Sequence, residues 1–453
     1  MHLRPSISRP TFALSVFLAL ACANAPHAPA PPPAGGEPTT TRTAPPRGGA
    51  LVPVPPPEPA VTTTARATLG AVGDVLMHEA VKRSAAVHGA RSPDAGFSWL
   101  FEPIADLLAA PDLTFANLET PIAPKTDQGA RPFVFNAPPA VLGALVRAGV
   151  DVVSFANNHA FDQGRAGFLE TIDEVRRAGL VPVGVGPVPR ASGPIHRDVN
   201  GIRIAFLGYA HFFNQDGNDC PPHGSGCVQA ALLDRARAVE DVRAAAASSD
   251  AVVVSLHWGD EYQGQPRAED VALARSLADA GALVVIGHHP HVLQPIELYR
   301  RADGRWAVIA YSLGNFVSNQ SRNYVSGVTP PAVAATRDGA LVRVELARRD
   351  YGRGVTRVEV AGADFLPLWT ENDTVEIDRR REPGRAPAIR VVAIDRALAA
   401  VRADLAAFPD PVPPDRAAAY VRLRERESLL ASRRAAIAAV LGEDLLRTLS
   451  GPE

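Results

Sequence analysis

The sequence predicts a layered α/β domain. Short apolar runs rich in β-branched residues recur from Ala65 onward, and stretches of helical period lie between many of them. The runs are apolar almost continuously rather than in alternation, which suits a sheet covered on both faces. Strands alternating with helices build layered α/β folds.

The chain starts with segments that cannot join such a core. Arg4 and Arg9 precede "TFALSVFLALACANA", an apolar stretch of export-signal length and too short to span a membrane, so residues 1–25 are expected to be a signal peptide. Two processing routes are open. Cys22 follows Ala19-Leu20-Ala21 as in a bacterial lipoprotein box, with the leucine one place early, which makes Cys22 the lipidation candidate. Ordinary cleavage after Ala21 or Ala23 is the alternative. Residues 26–64 hold 13 prolines between Pro26 and Pro59 and almost no large apolar side chains. They are expected to form an extended, solvated tether reaching on the order of 100 Å. The expected location is therefore the cell envelope, with a lipid anchor to a membrane.

Within the folded part, strands are expected at 67–74, 112–119, 151–159, 181–186, 202–210, 251–261, 282–291 and 306–316. Helices are expected at 139–149, 166–179, 229–247 and 269–281, several stopped by a glycine just past the last helical residue. After about residue 340 the alternation fades, and 339–348 and 354–369 read as adjacent antiparallel strands closing a domain that spans 65–375. Residues 390–453 form an Ala/Arg/Glu-rich helical C-terminal segment, split by "FPDPVPPD"; its charges make a solvated face or a partner-binding helix pair. Cys220 and Cys227 in "CPPHGSGC" are expected to form a disulfide worth about 2–3 kcal/mol, because His223 and two thiols do not complete a zinc site. The net charge of -2 gives no field to gather nucleic acid.

Polar residues gather at strand ends. Asp74 closes the first strand, Asn117 and Glu119 the second, and Asn157, Asn158 and His159 the third. His257, followed by Glu261, ends a later one, and His288, His289 and His291 end another. Each has a plain alternative: Asp74 as a helix cap, the asparagines as turn formers, His257 as a core histidine. Together they point elsewhere, because carboxyl ends of strands in such a sheet share one rim. A mixed O/N set without thiolate suits one or two divalent ions of Mn, Fe, Zn or Mg. His289-Pro290-His291 presents two imidazoles from one rigid turn.

"GDVLMH", "NLETPI", "SFANNHAFDQG", "LHWGDEY", "GHHPHVLQPIE" and "YSLGNFV", in this order, resemble the CapA family of poly-γ-glutamate capsule synthesis, within the calcineurin-like metallophosphatase superfamily. The resemblance covers about residues 66–350. It implies a four-layer αββα sandwich of the metallophosphatase type with a C-terminal helical extension. It also implies metal ligands at Asp74, Glu119 (bridging), Asn158, His257, His289 and His291, with His159 as proton donor to the leaving group. Leu76 stands where the superfamily has a histidine, and His78 is the substitute to test. Asp162 or Glu261 is expected to orient a ligand or catalytic histidine. Asn117, Asn157, His288 and Asn315 are expected to contact substrate.

A metal-dependent hydrolase of the cell envelope follows, cleaving a phosphoester or an amide of an anionic polymer. Two other readings compete with it. One is a non-catalytic subunit that binds polymer beside a membrane synthase; the other is a lipid-anchored phosphatase of small phosphoesters.

Overall fold

The computed structural model describes residues 61–91, 94–126, 133–188, 191, 193–220, 227–381 and 384–442. The export segment, residues 26–60 of the expected tether, Cys22 and His223 lie outside them, whereas residues 62–64, expected in the tether, begin the first strand. The strands are β1 (Thr62–Val75), β2 (Leu113–Asn117), β3 (Val152–Ser154), β4 (Val181–Val183), β5 (Val185–Pro187), β6 (Ile195–Val199), β7 (Ile202–Ala210) and β8 (Val228–Ala230). They continue as β9 (Ala251–His257), β10 (Val284–His288), β11 (Ile296–Arg300), β12 (Trp306–Ala310), β13 (Asn315–Val317), β14 (Asp338–Asp350), β15 (Thr356–Asn372) and β16 (Ile389–Ala393). The helices are α1 (Glu79–His88), α2 (Ala105–Leu108), α3 (Ala140–Ala148), α4 (Gly164–Arg177), α5 (Arg235–Ala246), α6 (Ala268–Ala280), α7 (Thr374–Arg380), α8 (Ile394–Ala406) and α9 (Ala417–Leu441).

Two main sheets face each other. One runs β16-β15-β14-β1-β2-β3-β4 with β13 on the end of β1, the other β11-β12-β10-β9-β7-β6, and β5 and β8 form a small ribbon. Side chains two apart share a strand face, and here both faces are apolar. In β7, Ile202, Ile204 and Phe206 join the cluster between the sheets, while Ala205, Leu207 and Tyr209 turn to the opposite side. β9 divides in the same way, Val253 inward and Val252 and Val254 outward. The outward side packs on Val242 of α5 and Leu273 and Leu277 of α6. The first sheet turns Ala116 and Val153 toward Val141 and Leu145 of α3 and Phe168 of α4. Three apolar interfaces separate four layers, α, β, β and α. This is the metallophosphatase-type sandwich that the resemblance implies.

Three local expectations are corrected. Residues 181–186 are not one strand: β4 joins the first sheet and β5 pairs with β8. Gly184 between them has φ +77, and a Cβ there would sit 2.6 Å from the Ala156 side chain. The helix expected from residue 229 starts at Arg235, because Gln229 and Ala230 pair with β5, and Asp234 caps α5 by accepting from Arg237 N–H. Residues 306–316 cross the sandwich, β12 lying in one sheet and β13 in the other.

The C-terminal segment is continuous with the layered domain. β16 pairs with β15, and Leu398 and Val401 of α8 and Leu430, Ile437 and Leu441 of α9 enter the cluster between the sheets. Arg433 on α9 is 3% exposed; its Nε donates to Oδ1 of Asp338 at 2.9 Å, and its Nη2 pairs with Oδ2. Burial pushes the Asp338 carboxyl up to about 6 although Arg433 opposes it. Arg433→Ala strands that charge, so urea unfolding at pH 7.5 is expected to show a loss of about 3–5 kcal/mol. A raised carboxyl pKa favours the folded state at low pH and loses that contribution as pH rises through the raised value. The penalty is therefore expected to shrink at pH 5, where Asp338 takes up a proton. An equal, small loss at both values would mean that this pair does not anchor α9.

Candidate metal centre

Parallel pairing of β1 with β2, β2 with β3, β7 with β9 and β9 with β10 turns the strand ends toward one rim. Register places Asp74 beside Asn117 and His288 beside His257. Gly73 lets β1 close on the turn before β13: a Cβ there would lie 2.0 Å from Gly314 O, and the next N–H, that of Asp74, donates to this oxygen at 3.0 Å. His289 and His291 both hold positive φ, 95 and 58. Backbone strain of this kind costs about 1–3 kcal/mol per residue and persists where the surroundings enforce it. The turn spends that energy aiming two imidazoles inward.

Those residues surround the buried carboxylate of Glu119. Its Oε1 has no hydrogen-bond partner, yet it lies 3.5 Å from His257 Nε2, 3.9 Å from His291 Nε2 and 4.0 Å from His159 Nε2. Such spacings are too long for hydrogen bonds. They are slightly wider than the roughly 3–3.5 Å between neighbouring ligand atoms that bonds of about 2.0–2.2 Å to one ion imply. Two sets of three ligand atoms lie within 4.8 Å of one another: Glu119, His289 and His291, and Asp74, Glu119 and His257. Glu119 is common to both. Asn158 adds an oxygen 2.9 Å from His257 Nε2. All six expected ligands thus converge. His289 Nδ1 also lacks a hydrogen-bond partner, and unpaired buried polar atoms are rare enough to require a cause.

Electrostatics divides the acids. Burial opposes ionisation of Asp74, but hydrogen bonding and charge from His288 and His291 hold its carboxyl well below the usual range. Burial first, and the Asp74 charge second, drive Glu119 well above it. Burial and the neighbouring His289 lower His257 well below the ordinary imidazole value, and burial lowers His289 to about 4. Both of these imidazoles are therefore neutral, as metal ligands must be.

The catalytic candidates separate. His159 Nδ1 lies 2.8 Å from Asp162 Oδ2, which also accepts from Phe135 N–H at 2.7 Å, and the Phe135 ring packs edge-on against the imidazole. This fixes Nε2 toward Glu119. Asp162 is thus the orienting acid of His159. Glu261 stands at the mouth, its side chain 44% exposed and Oε1 3.9 Å from His291 Nε2.

The four residues expected to contact substrate are buried beside the ligands. Asn117 is 0% exposed and donates to Asp74 Oδ1 at 2.8 Å, and Asn157 donates to Leu118 O at 2.8 Å. His288 is also 0% exposed, with Nδ1 3.2 Å from Asp74 Oδ1. Asn315 donates to Thr336 O at 2.8 Å and to Gln320 Oε1 at 2.9 Å. They brace the ligands from behind. His78 does not replace the missing histidine: its Nδ1 accepts from Asn319 N–H at 3.3 Å, and its ring meets Phe135 edge-on. Leu76 is buried, with its N–H bonded to Val317 O. Phe135 had no signal in the sequence, since nothing local marks a backbone N–H as the partner of an acid 27 residues away. Away from the rim, Cys220 and Cys227 are bonded to each other.

Comparison with known proteins places the chain in a family. The family model described as "Bacterial capsule synthesis protein PGA_cap" matches residues 68–320, which include every converging residue. "Capsule biosynthesis protein CapA" of Bacillus anthracis is 32% identical over 303 residues, 65% of this chain and 66% of that protein. "PGA biosynthesis protein CapA" of Bacillus subtilis is 32% identical over 302 residues, 66% of this chain and 72% of that protein. A "Probable polyglutamine synthesis accessory protein" of Mycobacterium tuberculosis is 29% identical over 209 residues, 42% of this chain and 53% of that protein. The chain spans about two thirds of the length of the Bacillus anthracis relative. By the extent of the family match and by these identities, the chain belongs to the CapA family of bacterial capsule synthesis proteins.

Proposed function

We propose that this chain is an envelope protein that holds one or two divalent ions among Asp74, Glu119, Asn158, His257, His289 and His291. On this reading the centre serves the synthesis or export of a poly-γ-glutamate-type polymer by hydrolysing an amide or a phosphoester. The observation that carries the metal reading is the partnerless Oε1 of Glu119 with three imidazole nitrogens 3.5 to 4.0 Å away. The name of the Bacillus subtilis relative supplies "PGA", and the resemblance to the CapA family reads that polymer as poly-γ-glutamate.

Bound divalent ions supply a nucleophile at neutral pH and offset charge developing on oxygen. The chain contributes the rest. His159, with Nε2 facing the gap, is the group that protonates the leaving group, while Asp162 keeps the ring in that orientation. Asn117 and His288 fix Asp74 from behind. Arg4, Arg9 and the apolar stretch after them export the protein, and Cys22 carries the anchor. No helix among the described residues is long and apolar enough to cross a membrane. A non-catalytic role beside a membrane synthase has one observation in its favour, the word "accessory" in the name of the mycobacterial relative.

Elemental analysis of purified protein is expected to find divalent metal, and His291→Ala should lose most of it. His159→Asn should keep the metal and lower hydrolysis by about 100-fold or more. Metal-free protein after incubation with micromolar manganese or zinc would contradict the proposal. Full polymer production by cells carrying His159→Asn would favour the accessory role. Metal titration tests the electrostatics. Burial and the Asp74 charge raise the affinity of the Glu119 carboxyl for a proton, so protons compete with the ion there and metal affinity should fall as pH falls. Glu119→Gln should weaken binding and flatten its pH dependence; affinity constant from pH 5 to 8 in the unmodified protein would contradict this.

A further inference from the structure

A second site lies on the part of the fold beyond the family match. The end of β15, α7, the start of β16 and α9 wall a groove of about 970 Å³. Its charge is unevenly spent. Glu371 is taken up by Arg390 at 3.2 Å and Arg426 at 2.6 Å, Asp373 by Arg385 at 3.1 Å, and Arg424 by Glu427 at 2.7 Å. Arg337, Arg379 and Arg422 also line the groove, and none has a carboxylate within 4.0 Å among the described residues. Glu376 and Glu425 are the other acids that line the groove.

Arg337 is the telling residue. It is only 5% exposed, its guanidinium carbon lies 4.3 Å from the centre of the Trp369 ring, and its Nε donates to Thr370 O at 2.8 Å. A buried guanidinium with no carboxylate in ion-pair contact is costly, and the nearby charges of Glu371 and Asp338 offset only part of that cost. Stacking on indole offsets part of that cost, and the remaining N–H groups face a cavity. Burial lowers its pKa to about 10, so it stays charged at neutral pH.

We propose that this groove binds an extended polycarboxylate, anchored by the Arg337 guanidinium on Trp369 and held further by Arg379 and Arg422. The planar guanidinium fork matches a carboxylate in two-point contact. The partly exposed Trp99 side chain that lines the groove offers apolar area to the stems between carboxylates. Interleaved wall acids such as Glu371 and Glu425 disfavour a densely charged phosphate chain and admit a sparser one. A chain of contacts runs from the groove wall toward the metal gap. Asn372 on its wall donates to Asn319 Oδ1 at 2.8 Å, Asn319 N–H donates to His78 Nδ1, and the His78 and His159 rings each contact the Phe135 ring edge-on. The site stands on its own geometry; naming poly-γ-glutamate as the ligand rests on the function proposed above.

The test titrates purified protein with poly-γ-glutamate, polyphosphate and neutral dextran, followed by calorimetry, with metal content measured on the same preparations. Poly-γ-glutamate is expected to bind more tightly than the other two and to weaken as salt rises. The exposed pair Arg379→Glu and Arg422→Glu should weaken that binding about tenfold or more with unchanged melting and metal content. Arg337→Gln should do the same if it melts like the unmodified protein. His291→Ala should lose metal and keep polymer binding. Less than about a twofold effect of the charge-reversed pair overturns the proposal, as does equal or tighter binding of polyphosphate or dextran. Loss of polymer binding in His291→Ala also overturns it, by placing the polymer at the metal gap. Metal-free protein that still binds polymer through the groove overturns the function proposed above and leaves this site standing.

Discussion

The carboxylate of Glu119 is the constraint on which the rest of the rim depends. It is 0% exposed, close enough to Asp74 to be driven up by its charge, and surrounded by imidazoles of which His257 and His289 are neutral. Side chains alone do not satisfy such a pair of acids, because an unpaired charge in a dry interior is strongly disfavoured. A cation in the gap reverses the sign of every interaction around it. The strained turn of His289 and His291, the buried braces Asn117 and His288, and the Asp162 contact to His159 all make sense as parts that hold negative and neutral donors around one positive charge.

The sandwich supplies this arrangement cheaply. Each sheet ends its parallel strands on the same side, and the cluster between the sheets brings the two rims together. Asp74, Glu119 and Asn158 come from one sheet and His257, His289 and His291 from the other. Neither half has enough ligands for both sets. Packing between the layers is therefore part of the site, and mutations in that cluster should be felt at the gap.

Much of this was legible in the sequence, and for a definite reason. Strand ends are local features, so polar residues closing apolar runs marked Asp74, Glu119, His257 and His291 without any knowledge of contacts. What was not legible depends on partners distant in the chain. Nearly continuous apolar runs do not say which sheet a strand joins, so the split at Gly184 and the crossing between β12 and β13 were hidden. Asn117, Asn157, His288 and Asn315 carry the same functional groups whether they face substrate or brace a ligand, so their burial beside the ligands was not legible in the sequence. The amphipathic C-terminal helices read as solvated because α9 shows many charges; that Leu430 and Ile437 reach the core, and that Arg433 is buried against Asp338, is set by β14.

The central claim is that six residues from two sheets close on a cation-sized gap centred on Glu119. Diffraction from crystals grown with manganese, recorded near its absorption edge, tests it directly. The account predicts an anomalous peak bonded to Glu119 Oε1, at about 2.0–2.2 Å, with imidazole nitrogens of His257 or His291 in the same coordination shell. A fully ordered rim with no anomalous peak there, or with manganese bound only elsewhere on the protein, would contradict it.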